Sequence, residues 1–145
     1  PGLKVANDAV LAATVTVSGV VATGWCRHKT PNAVQQLCVH EFDPDGALVG
    51  FFLETSPTQA EGRGIAQDRE RRAVISGFRT TPGQIDAWIF ASRGADQALA
   101  WSQTYDGGGW DFANGVACDL WGHCTWVGST TQDGALALIV SRRHP

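Results

Sequence analysis

The sequence alternates between short runs of β-branched and aromatic residues and clusters of Gly, Pro, Asp, Asn and Ser. The apolar runs include RAVISGF, QIDAWIFAS, QALAWSQTY, GHCTWVGS and GALALIVS. Such runs, bounded by turn residues, are typical of β-strands. No segment has a sustained helical apolar period, and IAQDRERR, the best helical candidate, is polar on all sides. The pattern predicts one all-β domain over residues 1–145, an antiparallel barrel or sandwich of about 8–10 strands.

Charge excludes two classes of partner. The net charge is -3 and only 17% of the residues are charged, so the chain has no basic surface for nucleic acid and no polybasic membrane patch. The apolar stretch AVLAATVTVSGVVATG is interrupted by Thr and Ser, and its 16 residues are too few for a membrane span. We interpret it as a buried strand.

The cysteines form two close pairs, Cys26 with Cys38 and Cys118 with Cys124. An even number of cysteines at these spacings indicates two local disulfides in an oxidising compartment, and so a secreted or periplasmic protein. The sequence leaves three connectivities open, with free thiols as the next alternative. A zinc site would need shorter ligand spacings, so no metal is predicted.

The tetrapeptide Asp-Gly-Ala-Leu occurs twice, beginning at Asp45 and at Asp133. Asp-Gly suits the positive φ values of a tight hairpin, so each copy is predicted to join the strands on either side of it. A calcium loop at the first copy would need further acidic positions that do not follow it. An internal duplication remains an alternative explanation, although two copies are weak support for a repeat fold.

From Trp25 onward, the order of elements resembles the avidin and streptavidin family over roughly residues 25–130. DGALVGFF is similar to the hairpin between strands 2 and 3 of that family, and RAVISGFR is similar to its strand 4. IDAWIFAS, LAWSQTYDGG and CTWVGSTT resemble its successive tryptophan-bearing strands. The family is an eight-stranded barrel that binds biotin in one mouth.

The resemblance implies a non-enzymatic protein that holds a biotin-like small molecule without any cofactor. Trp88, Trp101 and Trp126 (or Trp121) would form the apolar walls of the pocket. Phe52 occupies the position at which the family has a hydrogen-bonding tyrosine.

Two other functions remain open. Trp110 lies in a glycine-rich loop and Trp121 lies between two cysteines, so both could serve a secreted lectin or adhesin that binds a glycan. A carboxylate-dependent hydrolase is the third reading, with Asp106 and Asp111 or the segment that begins at His40-Glu41 as candidates. Strand alternation places His40 and Glu41 on opposite faces, which argues against a dyad. Association with further copies of the chain, as a homo-oligomer, is also open.

Overall fold

The computed structural model describes residues 5–28, 33–54, 58–92, 99–132 and 135–143, and this part of the chain contains strands and no helix. The eleven strands confirm the all-β prediction. Their bounds are β1 Val5–Thr16, β2 Gly19–His28, β3 Gln36–Phe42, β4 Leu48–Leu53, β5 Ala60–Gln67, β6 Ala73–Thr81, β7 Gln84–Ser92, β8 Leu99–Tyr105, β9 Asp111–Cys118, β10 Cys124–Gln132 and β11 Ala135–Arg143. In these ranges, therefore, there is no helix that could span a membrane.

The strands form three separate antiparallel sheets. The first sheet has the order β1-β2-β3-β4, the middle sheet β5-β6-β7-β8, and the last sheet β9-β10-β11. Each strand therefore pairs with its neighbour in the chain. Two architectures were predicted, and the closed barrel is wrong, because within the described ranges the three sheets are separate. In the same ranges a single isolated bridge, between Ile85 of β7 and Trp110, connects the middle sheet to the residue that precedes β9. The fold is a sandwich-like stack.

The middle sheet is buried on both faces. Ile75, Trp88 and Phe90 pack against Val21, Leu37 and Val39 of the first sheet. On the opposite face, Val74, Ala87 and Ile89 pack against Ala113 and Trp126 of the last sheet. Burial on both sides explains why residues 73–78 of β6 and 86–92 of β7 are buried without interruption. A strand that has one face in solvent alternates between buried and exposed residues.

The middle and last sheets are copies of one repeat. Ala60, Ala73 and Gln84 begin the first three strands of the middle sheet, and Asp111, Cys124 and Ala135 begin those of the last. Each start thus lies 51 residues after its equivalent. Identical residues at this offset include the pairs Gly64/Gly115, Ala66/Ala117, Asp68/Asp119, Gly77/Gly128 and Thr80/Thr131. The middle sheet has four strands and the last sheet has three among the described residues, so the fourth strand of the repeat is present only in the middle sheet. Self-similarity at a fixed period of about 20–50 residues is the sequence signature of repeat architectures, in which each unit stacks on its neighbour.

The two Asp-Gly-Ala-Leu tetrapeptides do not belong to this repeat, because they are 88 residues apart and not 51. The first copy does form the predicted hairpin between β3 and β4. The Oδ1 of Asp43 accepts hydrogen bonds from the N–H groups of Asp45 (3.0 Å) and Ala47 (2.8 Å), and Gly46 has φ 86°. Asp133 and Gly134 lie outside the described residues.

The same aspartate-capped turn occurs in every sheet. Asp68 caps the β5–β6 turn by accepting from the N–H groups of Glu70 and Arg72, both at 2.9 Å. Asp119 caps the β9–β10 turn in the same way. The residue in the left-handed region is Gly46 in the first turn and Gly122 in the last, but Arg71 in the middle turn.

Two disulfides confirm the prediction from cysteine number and decide the connectivity. Cys26–Cys38 joins β2 to β3, and Cys118–Cys124 joins the end of β9 to the start of β10. Cys118 and Cys124 are directly opposite in the register of those strands. Disulfides persist where the environment is oxidising, as outside the cell.

Candidate functional site

Trp88 and Phe52, two residues predicted to line a barrel pocket, lie in the core between the first and middle sheets. Trp88 is 2% exposed and stacks on Phe90 with the ring centroids 4.4 Å apart. Phe52 contacts the same Phe90 ring at 5.6 Å. Both side chains hold two sheets together.

Trp126 and Trp101 lie on the other side of the middle sheet. Trp126 is 1% exposed and meets the Tyr105 ring edge-on at 5.9 Å, while Trp101 packs against the same core and is partly accessible. The middle sheet thus separates these rings from Trp88. The predicted common pocket for Trp88, Trp101 and Trp126 is not formed, because the sheets stack and do not close into a barrel.

The two loop tryptophans are exposed, Trp110 at 58% and Trp121 at 70%. They lie at opposite ends of β9, because Trp110 precedes Asp111 and Trp121 follows Cys118. A strand of eight residues is about 25 Å long. These rings therefore belong to two different surfaces.

Trp121 does share a surface with Trp101. The two rings line a cleft with a volume of about 480 Å³ between the middle and last sheets. Trp101 comes from β8, Trp121 from the β9–β10 turn and Arg143 from the end of β11. The remaining lining residues are Asp68, Arg69, Glu70, Arg72, Ala100, Gly122 and Cys124.

The cleft is rich in charge of both signs. Arg72 bridges the carboxylates of Asp68 and Glu70, each at 2.7 Å. The Arg143 guanidinium lies 4.2 Å from the centroid of the Trp101 ring, a cation–π contact. The lining thus offers two indole faces together with guanidinium donors and carboxylate acceptors.

Trp121 is exposed but its backbone is held firmly. Asp119 Oδ1 accepts the N–H groups of Trp121 and His123, both at 2.9 Å. Asp119 Oδ2 contacts His123 Nδ1 at 3.0 Å and the Arg142 guanidinium at 2.9 Å. The Cys118–Cys124 disulfide closes the same loop. The indole is therefore presented to solvent from a fixed turn.

These contacts also set the charge of Asp119. Desolvation raises the pKa of its carboxyl group, but the hydrogen bonds from His123 and from the Trp121 backbone outweigh this and lower the pKa below its usual value. Asp119 consequently stays ionised, and the turn stays capped, in mildly acidic solution.

The segment considered for hydrolysis does not form a dyad. His40 lies against Phe51 at 4.8 Å and stacks on Phe42 at 6.2 Å between ring centroids, whereas Glu41 pairs with Gly50 on β4. Burial lowers the pKa of His40, and the Asp8 carboxylate opposes this effect. The placement of His40 and Phe42 on one face agrees with the alternation expected of β3.

Most of the polar cleft was not identified from the sequence. Residues 69–72 (RERR) belong to the segment IAQDRERR, in which the sequence shows only a polar surface, and no sequence motif marks Arg143. The sequence does contain a signal for the cleft, namely the internal repeat with an offset of 51 residues. This offset makes the turn capped by Asp68 equivalent to the turn capped by Asp119. Equivalent turns of stacked units are neighbours, and these two turns line a common depression beside the cleft.

Comparison with models of known protein families gave no match, and no curated protein was found with significant similarity to the chain.

Proposed function

We propose that this chain is a secreted or periplasmic, non-enzymatic protein that binds a glycan in the cleft between Trp101 and Trp121. The observation that carries the proposal is the exposed Trp121 ring, held on a disulfide-closed turn beside a second indole. An exposed indole lowers solubility, so its retention on a rigid turn favours a role in recognition.

The chemistry of the lining favours a saccharide. A sugar ring presents a C–H face that packs on an indole, and its hydroxyls both donate and accept hydrogen bonds. Here the guanidinium groups of Arg69 and Arg72 supply donors, and the Glu70 carboxylate supplies an acceptor. The volume of about 480 Å³ falls within the range of small-molecule sites.

The test is a glycan array followed by titration of the best ligand, with tryptophan fluorescence and calorimetry as readouts. Trp121→Ala should weaken binding about 30-fold, which corresponds to the ~2 kcal/mol of an aromatic hot spot. Trp110→Ala is the matched control, since it removes another exposed indole from the same sheet, and it should bind as the unaltered protein does.

A blank array would overturn the proposal, and so would equal affinities of the Trp121→Ala and Trp110→Ala variants. A biotin titration on the same samples distinguishes the glycan from the small molecule that the sequence resemblance implies. Saturable biotin binding that survives Trp121→Ala would favour the latter.

A further inference from the structure

Three carboxylates meet at the end of β9 that lies away from the Trp101–Trp121 cleft. Asp86 is on β7, Asp106 follows β8, and Asp111 begins β9. One carboxylate oxygen from each lies within 4.8 Å of the other two. The cluster spans the junction of the middle and last sheets, since Asp86 belongs to the former and Asp111 to the latter.

Two of these carboxylates are buried, Asp111 at 0% and Asp86 at 5% exposure. Each uses one oxygen: Asp86 Oδ2 accepts from the Thr81 hydroxyl at 3.1 Å, and Asp111 Oδ2 accepts from Gly107 N–H at 2.6 Å. The Oδ1 atoms of both have no hydrogen-bond partner among the described residues. The ion pairs found in that part of the chain do not include Asp86, Asp106 or Asp111.

A buried hydroxyl is directed at the same place. Thr130 is directly opposite Asp111 in the β9–β10 register, is 5% exposed, and its Oγ1 also lacks a partner among the described residues. A methyl group on Gly107 would lie 2.7 Å from Thr130 Oγ1 and 2.9 Å from Asp111 Oδ1. Both unpartnered oxygens thus border the space beside Gly107.

We propose that Asp86, Asp106, Asp111 and Thr130 bind a hard divalent cation of the calcium class. Buried carboxylates require a compensating positive charge, and none of the described residues forms an ion pair with these. Arg79, which is opposite Asp86 in the β6–β7 register, donates to the Thr104 hydroxyl at 2.9 Å. Every available ligand atom is an oxygen, and carboxylate and hydroxyl oxygens at an irregular site suit Ca²⁺, which tolerates flexible coordination.

The cation would join two separate sheets, whose backbones are paired only by the isolated bridge between Ile85 and Trp110 within the described residues. It would bind Asp86 of the middle sheet, Asp111 and Thr130 of the last sheet, and the 106–110 loop between them. The site is specific to this junction, because Ala137 and Ala60 occupy the positions 51 residues after Asp86 and before Asp111. The proposal does not depend on glycan binding.

The experiment uses chelator-treated protein titrated with CaCl₂, with thermal unfolding and calorimetry as readouts. Tb³⁺ is a second probe, since Tyr105 and Trp110 flank the acidic residues and can sensitise its luminescence. The unaltered protein should bind Ca²⁺ at one site per chain, unfold at a higher temperature with Ca²⁺ than without it, and give sensitised Tb³⁺ emission that Ca²⁺ displaces.

Asp86→Asn and Asp111→Asn keep the side-chain shape and remove one charge each, so each should weaken Ca²⁺ binding by about 100-fold or more. Both variants should unfold cooperatively without Ca²⁺, since each removes a buried charge that has no ion-pair partner among the described residues. Asp45→Asn, in the exposed β3–β4 turn, is the charge-matched control and should bind as the unaltered protein does.

The proposal fails if millimolar Ca²⁺ neither shifts the unfolding temperature of the unaltered protein nor displaces Tb³⁺. It also fails if Asp111→Asn and Asp45→Asn bind Ca²⁺ with the same affinity. Gly107→Ala provides a check that changes no charge: its methyl group would occupy the space between the two oxygens, so unaltered affinity in this variant would contradict the placement of the cation.

Discussion

Ile89 and Val140 are equivalent residues of the repeat, 51 positions apart, and their environments are opposite. Ile89 is 2% exposed between the middle and last sheets, whereas Val140 is 62% exposed on the outer face of the last sheet. The same strand position is thus a core residue in one copy and a surface residue in the other.

Because of this difference in burial, we expect truncation of Ile89 and truncation of Val140 to have very different effects on the free energy of unfolding. Ile89→Ala should lower the free energy of unfolding by about 3 kcal/mol, because it removes buried methyl groups and leaves a cavity. Val140→Ala should change it by less than about 0.5 kcal/mol. Urea denaturation of both variants measures the difference, and equal losses would contradict the stacking order of the sheets.

Arg71 predicts a stabilising substitution. Its φ of 63° lies in the left-handed region, where the equivalent positions of the other two turns carry Gly46 and Gly122. That conformation costs a non-glycine residue about 1 kcal/mol. Arg71→Gly should therefore raise the free energy of unfolding by up to about 1 kcal/mol, measured by urea denaturation. Arg69→Gly, an exposed neighbour, is the control and should not stabilise the protein.

His40 predicts a loss of stability on mild acidification. Burial lowers the pKa of His40 in the folded chain, while in the unfolded chain it titrates near its usual value of about 6.5. The unfolded state therefore binds more protons between these two pKa values, and stability falls as the pH falls through that window. Above it the contribution is constant.

The check is the free energy of unfolding between pH 8 and pH 5 for the unaltered protein and for His40→Gln. We expect the gap between the two proteins to be constant above about pH 7 and to change in favour of the variant below about pH 6.5. Parallel curves over the whole range would refute the assignment to His40.

We expect the two disulfides to have similar effects on stability but different effects on glycan binding. Their sequence separations are 6 for Cys118–Cys124 and 12 for Cys26–Cys38, so replacing either pair by serines should lower the free energy of unfolding by about 2–3 kcal/mol, slightly more for the longer loop. Only the loss of Cys118–Cys124 frees the Trp121 turn. We expect that variant alone to lose glycan affinity, with calorimetry as the readout.

Local structure was predictable from the sequence because it depends on neighbouring residues. The alternation of β-branched runs with turn residues predicted strands, and Asp45-Gly46 marked the β3–β4 hairpin correctly. Cysteine spacing predicted two disulfides. These features depend on backbone conformation and on short loops, both of which a single stretch of sequence specifies.

The arrangement of the sheets was not predictable in the same way. The tryptophan-bearing strands suggested one closed wall, but Trp88 and Trp126 serve two separate cores. The pattern of a strand shows which residues are apolar. When both faces of a sheet are buried, the pattern does not show which neighbouring sheet each apolar residue packs against. The acidic cluster was not predictable for a similar reason, because it depends on contacts between strands. Asp86 lies 20 residues before Asp106 in the chain, and the pairing of β7 with β8 brings the two residues together.

The outer face of the last sheet has a consequence for how far the structure can extend. Repeat proteins normally end in a capping unit whose outer face is polar. Here Leu136, Leu138 and Val140 are 76%, 79% and 62% exposed, on the strand equivalent to the buried β7. The outer face of the last sheet thus has the apolar character of the equivalent face of the middle sheet, which is covered, and lacks the polar surface of a capping unit. The repeated sequence consequently determines how two adjacent sheets pack against each other, but it does not determine how many sheets stack.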